Sequence, residues 1–282
     1  MNLLFDIGGT KTRFAISRDG NSFEEPVIFE TQKNFDAAMR EYKSRVDTLV
    51  TGEKIEKSVG GIRRLNAEKN AILPDFRLPD WSEKPLKKKL SEITGGEVFL
   101  ENDTALVGLG EAVAGAGKDK NIVVYMTIST GVGGVRIVNK KIDENAFGFE
   151  PGHQIIDADW TMMPEIREYA TTEKLGQLEA YISGTSIEQR YGKKPYEIED
   201  PKIWDEVAKI LSYGITNTIL HWSPDVVILG GGMMKSPGIT IEEVRNHLQE
   251  NLSIISLIPE VKKADLGDIG GLHGALAHLK DI

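Results

Sequence analysis

The stretch Asn2–Ser17, NLLFDIGGTKTRFAIS, constrains this chain most: two apolar runs of strand length enter and leave a glycine turn that carries one carboxylate. Leu3–Phe5 and Arg13–Ile16 are the strand-forming runs, and Gly8-Gly9 permits the tight reversal between them. Backbone N–H groups that converge in such a turn can bind an anion, with Thr10, Lys11 and Thr12 adding hydroxyl and ammonium donors. Asp6, at the end of the first run, would repel a phosphate placed there, so its position makes sense when a cation lies between the two. The bland reading is a plain hairpin with a surface aspartate.

The same unit recurs twice. Asn121–Asn139, NIVVYMTISTGVGGVRIVN, runs into Ser129-Thr130-Gly131-Val132-Gly133-Gly134 and out again, and Asp225–Met234, DVVILGGGMM, runs into Gly230-Gly231-Gly232. Three strand-to-glycine-turn units predict an α/β protein with duplicated halves facing a shared cleft, in which main-chain amides hold phosphates. Neither GxxxxGK(S/T) nor GxGxxG is present, which disfavours P-loop and Rossmann architectures. At 282 residues and 40% hydrophobic content, two domains are expected. A net charge of −9 argues against a nucleic-acid face, because phosphate backbones are bound by excess Lys and Arg. The absence of cysteine excludes disulfides and thiolate metal sites. No run approaches the roughly 18 apolar residues that span a bilayer, and the amino terminus reads as a strand rather than a signal peptide, so a cytoplasmic protein without membrane partners is expected.

Along the chain, Val27–Glu30 reads as a third strand. Asn34 caps a helix whose core stripe is Phe35, Ala38, Met39, Tyr42, Val46, Leu49 and Val50. Ile55–Ile62 is a strand closing on Gly60-Gly61, and Arg63–Trp81 a long irregular loop of the kind that carries function. Glu83–Thr94 reads as a helix, and Val98–Leu100 as a strand that delivers Glu101-Asn102-Asp103 to the helix Thr104–Ala114, a place where side chains project into the crevice of an α/β sheet. Asn102 or Asp103 serving only as an N-cap is the competing reading. Gly108, Gly110, Gly115 and Gly117 suggest a hinge. Phe147–His153, FGFEPGH, places Glu150 and His153 on a turn, which suits sugar hydroxyls better than a helical metal pair. Glu179 falls on a helix ending near Gly184, Asp200-Pro201 opens a helix over Ile203–His221, another runs from Ile241 to about Leu252, and Gly267–Lys280 is a small-residue helix suited to close packing against the first domain.

Six motifs in this order resemble the ROK family of the actin-like ATPase (ribonuclease H-like, hexokinase) superfamily: DIGGTKT at Asp6–Thr12, END at Glu101–Asp103, STGVGG at Ser129–Gly134, EPGH at Glu150–His153, LEAYISGT at Leu178–Thr185 and LGGGM at Leu229–Met233. The resemblance implies a two-domain fold with duplicated βββαβα halves and an interdomain cleft. One domain spans residues 1–114, with a terminal helix at about 268–282 packing back on it, and the other spans 115–267. It implies an ATP- and Mg²⁺-dependent hexose kinase, glucokinase-like, acting on the 6-hydroxyl of a sugar such as glucose. Its partners would be the sugar and ATP, and the family tends to dimerise. Asp6 would orient the hydrated magnesium, Gly8, Gly9, Thr10, Lys11 and Thr12 would hold the γ-phosphate, and Thr130, Gly131, Gly133 and Gly134 would contact the inner phosphates. Gly231 and Gly232 would lie against adenosine. Gly61, Asn102, Asp103, Glu150, His153 and Glu179 would bind the sugar, with Asp103 as the catalytic base. The chain departs from the family pattern at two places. Ala170, Thr172 and Gln177 stand where the zinc cysteines of CxCGxxGCxE would be, so no zinc is expected, and Arg77 and Asp80 replace the Asn and Gly of NLPGW. A non-catalytic sugar- or nucleotide-binding regulator is the alternative reading, and a hydrolase using Glu150 or Glu179 is a third.

Overall fold

The computed structural model describes residues 1–170, 175–255 and 257–282. Thr172, one of the positions at issue for zinc, lies outside them. The described chain falls into two compact units, Met1–Ala114 with Asp268–Ile282, and Gly115–Gly267.

In unit 1, β1 (Asn2–Ile7), β2 (Lys11–Ser17), β3 (Val27–Glu30), β4 (Lys57–Ile62) and β5 (Glu97–Asn102) form a sheet of order β3-β2-β1-β4-β5. The first three strands are an antiparallel meander, and β4 and β5 join β1 in parallel. Strand residues alternate between faces. Leu3, Phe5 and Ile7 pack into one core with Phe35, Ala38, Tyr42 and Val46 of α1 (Phe35–Val50) and with Leu86 and Leu90 of α2 (Leu86–Thr94). Asp6 therefore points to the other face, beside α9 (Gly270–Leu279), where the Asp6 Cγ lies 3.2 Å from the place a Gly271 Cβ would occupy. The α2 helix begins at Leu86 rather than Glu83, because Pro85 disfavours helical backbone just before it and Glu83 adopts a left-handed φ of 59°.

Of the glycines expected to form a hinge, Gly110 has a packing role instead. Gly110 is buried inside α3 (Asp103–Val113), and a Cβ there would stand 2.3 Å from the Gly270 carbonyl of α9. A Cβ on Gly274 would stand 1.8 Å from the Leu106 carbonyl. The two helices meet backbone to backbone, so these glycines are packing contacts that fix α9 on α3.

Unit 2 repeats the plan. β6 (Ile122–Ile128), β7 (Val132–Val138), β8 (Lys141–Ile142), β9 (Val226–Gly230) and β10 (Glu260–Lys263) order as β10-β9-β6-β7-β8. Counted from its own first strand this is the same 3-2-1-4-5 arrangement, with the same antiparallel and parallel pairs. Its core gathers Val124, Met126, Ile128, Val227 and Leu229 with α7 (Pro201–Trp222), capped by Asp200, and α8 (Ile241–Asn251), which opens with a Thr240–Glu243 capping box. Three short helices, α4 (Ile166–Tyr169), α5 (Leu178–Ile182) and α6 (Gly184–Tyr191), precede α7 in the chain. Among the described residues no helix is long and apolar enough to cross a membrane.

Candidate active site

The parallel pairing in unit 1 lines up chemistry at the carboxyl ends of three strands: Asp6 on β1 is opposite Gly61 on β4, and Gly61 opposite Glu101 on β5. Asp103 follows as the first residue of α3, its Cα only 3.0 Å from the place a Gly61 Cβ would take. Any side chain at Gly61 would crowd Asp103. Burial raises the carboxyl of Asp103 above its ordinary range, against the Thr104 N–H and the charge of Arg63. The Thr104 N–H donates to Asp103 Oδ1 at 2.8 Å, which leaves Oδ2 for a ligand hydroxyl. Burial, then the neighbouring charge of Asp103, pushes Asp6 up to about 6 against the opposing pull of Arg13. Arg13 Nη1 donates to Asp6 Oδ2 at 3.0 Å, and its other amine is 3.7 Å from Asp268. The pairing follows from a short hairpin that sets Asp6 opposite Arg13.

The glycine turn after β1 uses part of its own bonding capacity. The Gly8 N–H donates to the Lys11 carbonyl at 2.9 Å, and the Gly8, Gly9 and Thr10 carbonyls accept from the Thr31 hydroxyl, the Lys33 ammonium and the Thr31 N–H. The N–H groups of Gly9 and Thr10 are the turn donors that no acceptor among the described residues takes. Gly8 thus closes the turn rather than offering an N–H to a ligand. Thr12 differs from the expectation too: it is buried on β2, its hydroxyl 2.9 Å from both the Thr31 and Tyr42 hydroxyls, and serves the core. Lys11 is exposed at the first position of β2. Asn102 is the N-cap of α3, its Oδ1 accepting from the Ala105 N–H at 3.1 Å, which leaves its amide nitrogen to donate to a ligand. Asp80 accepts from Asn34 Nδ2 and the Phe35 N–H, both at 2.9 Å, and so helps cap α1.

In unit 2 the Ser129–Gly131 turn is held by neighbours. The Ser129 carbonyl accepts from the Gly184 N–H at 2.7 Å, and the Thr130 carbonyl from the Thr185 hydroxyl at 2.8 Å. Gly231 is left-handed at φ 95°, with the Ile128 carbonyl 2.2 Å from where a Cβ would be, so that position admits no side chain. Gly232, by contrast, faces open space. Glu179 Oε2 accepts from the Val132 N–H at 2.8 Å, making the residue expected on sugar a brace for the second turn. Gly133 and Gly134 lie within β7, and a Cβ on Gly134 would be 2.6 Å from the Pro151 ring, so Gly134 seats the Pro151–His153 turn. That turn presents Glu150 and His153 on the surface, their closest approach 3.9 Å, with His153 Nδ1 2.7 Å from Gln177 Oε1. Among the described residues no group of three His, Asp or Glu is arranged to hold a metal ion.

The model of the ROK family matches residues 3–282. The chain belongs to the ROK family. Among its relatives, this ROK protein is 28% identical over 303 residues to the N-acetyl-D-glucosamine kinase of Escherichia coli, an alignment covering 98% of this chain and 99% of that one. Among solved structures it resembles the ROK hexokinase of Thermus thermophilus, with a TM-score of 0.79, 24% identity and 99% of each chain covered. It also resembles a ROK family glucokinase from Streptomyces griseus in complex with glucose and AMPPNP, with a TM-score of 0.75, 23% identity, 100% of this chain and 99% of that chain covered. The fold of the ROK protein is the actin-like ATPase fold.

Sequence reasoning missed Arg13, Arg63, Asp75 and Gln177. Arg13 was recoverable, because the length of the first turn sets its register opposite Asp6. Asp75 and Arg63 meet only through the folding of the loop after β4, for which no period exists. The sequence reading took Gln177 only as a missing cysteine, whereas it holds the ring of His153.

Proposed function

We propose that this ROK protein is an ATP-dependent sugar kinase that transfers the γ-phosphate to a hydroxyl, the 6-OH, of a hexose such as glucose or an N-acetylhexosamine, with Asp103 as base. The observation that carries this reading is the placing of Asp103: a half-buried carboxylate one glycine away from Asp6, with Oδ1 pinned and Oδ2 open. The activities named for its relatives support the same reading.

Transfer to an alcohol requires an oxygen to attack phosphorus in line, so positioning and charge neutralisation do most of the work. The acceptor hydroxyl, bonded to Asp103 Oδ2, forms the new O–P bond as the bond to the β-phosphate oxygen breaks, and its proton passes to Asp103. The Gly9 and Thr10 N–H groups offer unit 1's main-chain donors to the transferred group. Thr130 and Gly131 would meet the inner phosphates, with Gly231 and Gly232 beside adenosine. Glu150 and His153 would take sugar hydroxyls. Two neighbouring carboxyls that are both raised fit a divalent cation that keeps most of its waters, and Asp6 would orient it through one of them. Bound with ATP, magnesium would supply charge neutralisation at the phosphates.

A coupled assay of ADP release across a panel of hexoses tests the proposal. Asp103→Asn should lower turnover at least about a hundredfold, the low end for a general base, while sugar binding persists. An unchanged rate rejects Asp103 as base, and no stimulation by any hexose would favour the regulator.

A further inference from the structure

The loop between β4 and α2 gathers cations around the first glycine turn, on a chain whose net charge is −9. Arg63 is ion-paired through Nε to Asp75, whose side chain is fully buried, so one edge of the guanidinium is fixed and the other is directed by it. Arg63 Nη1 reaches to 3.6 Å from the place a Gly9 Cβ would occupy. Asp75 also accepts the main-chain N–H of Arg77 at 2.6 Å, and the stem of Arg77 lies over the same glycine, its Cδ 2.9 Å and its Cβ 3.2 Å from that point. Both guanidiniums rest against the ring of Phe76, at 5.7 and 5.4 Å, although Phe76 is itself 74% exposed. Lys33 adds an ammonium 2.5 Å from the Gly9 carbonyl.

Such a loop does more than close a connection. Asp75 holds the guanidinium of Arg63 and the main chain of Arg77, and the Phe76 ring lies against both guanidiniums, which pre-pays part of the ordering that a planar fork needs to grip a carboxylate or phosphate through two parallel hydrogen bonds. The Gly9 and Thr10 N–H groups point to the same preference for an anion.

We propose that Arg63 and Arg77, both anchored by Asp75, form an oxyanion clamp beside the Gly8–Lys11 turn that selects the substrates of the reaction proposed above. The clamp rests on that reading for its place in catalysis but not for its ligand chemistry. The oxyanion belongs either to an acidic substituent on the acceptor sugar or to the transferable phosphates.

Calorimetric titration of the full chain separates these sources with three probes: N-acetylglucosamine, the same sugar carrying a 3-O-lactyl carboxylate, and inorganic tripolyphosphate. The variant is Arg77→Gln, which keeps a stem over Gly9 and the main-chain bond to Asp75, with an unchanged melting temperature as its control. If the acid-bearing sugar binds at least about tenfold more tightly than the neutral one, and Arg77→Gln erases the difference, the clamp reads the acceptor. If tripolyphosphate weakens about tenfold in the variant while the two sugars bind alike, the clamp reads the phosphoryl donor. A variant that binds all three probes as the unaltered protein does overturns the inference. A protein that binds as described yet transfers no phosphate defeats the kinase reading alone, whereas an active kinase with an indifferent Arg77→Gln variant defeats the clamp alone.

Discussion

In unit 1 the glycine turn is edged by ionisable groups: Asp6 with Arg13, Asp103 behind Gly61, and Arg63, Arg77 and Lys33 around Gly9. In unit 2 the corresponding turn is edged mostly by main chain and small residues, with the Gly184 N–H, the Thr185 hydroxyl and the close approach of Gly231 to β6. There a carboxylate, Glu179, accepts from the Val132 N–H through Oε2. Since the two sheets share strand order and pairing, the difference cannot come from the scaffold. Under the proposed function the repeated fold supplies two anion-binding turns, and the residues at the ends of β1, β4 and β5, with the loop after β4, would make one of them reactive. The other stays a holder.

The comparison can be broken most sharply at Asp6. Its carboxyl rises from 3.8 to about 6 in the folded protein, so below pH 3.8 it is protonated whether folded or not and its neutral form costs nothing. Between 3.8 and about 6 the unfolded chain ionises while the folded one keeps its proton, so stability falls with rising pH, and the loss of about 3 kcal/mol is complete above about 6. Asp6→Asn should remove this loss: melting curves of the two proteins should coincide more nearly near pH 4 and separate by pH 7, the variant being the more stable, while kinase turnover drops. A gap that does not change with pH would contradict the contrast between the units. A step smaller, Glu179→Ala should destabilise unit 2 by about 1.5–3 kcal/mol, as expected for a hydrogen bond to a charged group. Denaturant titration measures it, and a loss below about 0.5 kcal/mol would show that the second turn stands without its brace. Smallest is Asp80→Ala, which should cost about 1 kcal/mol through the lost α1 cap and leave sugar preference unaltered. A changed preference would place Asp80 in the site.

Much of this was legible in advance, and the divide follows from which forces act locally. The strand run Leu3–Phe5, the Asn34 cap and the 3.6-residue stripe of α1 are set by neighbours in sequence, and all appear at the expected residues. So do Asp200 at the start of α7 and the strands leading into the glycine turns. What could not be read were choices made by distant partners. Thr12 looks like a phosphate donor until Tyr42 and Thr31 claim its hydroxyl, and Glu179 like a sugar ligand until it meets Val132. Gly110 looks like a hinge until the Gly270 carbonyl arrives from the far end of the chain. A residue type states what a side chain can do, but the tertiary partner decides whether it is still available.

The seating of α9 against α3 carries a last consequence, for biosynthesis. Residues 115–267 are contiguous and can fold as they leave the ribosome, whereas the first unit lacks one of its helices until Gly270–Leu279 has been translated. Gly271 sits against the carboxylate of Asp6, and the Ile282 carbonyl accepts from the ammonium of Lys57 at 2.6 Å. A nascent chain therefore leaves the surroundings of Asp6 unfinished until Gly270–Leu279 has been made, and a chain cut short before that helix would hold every residue of the second unit but lack a helix of the first.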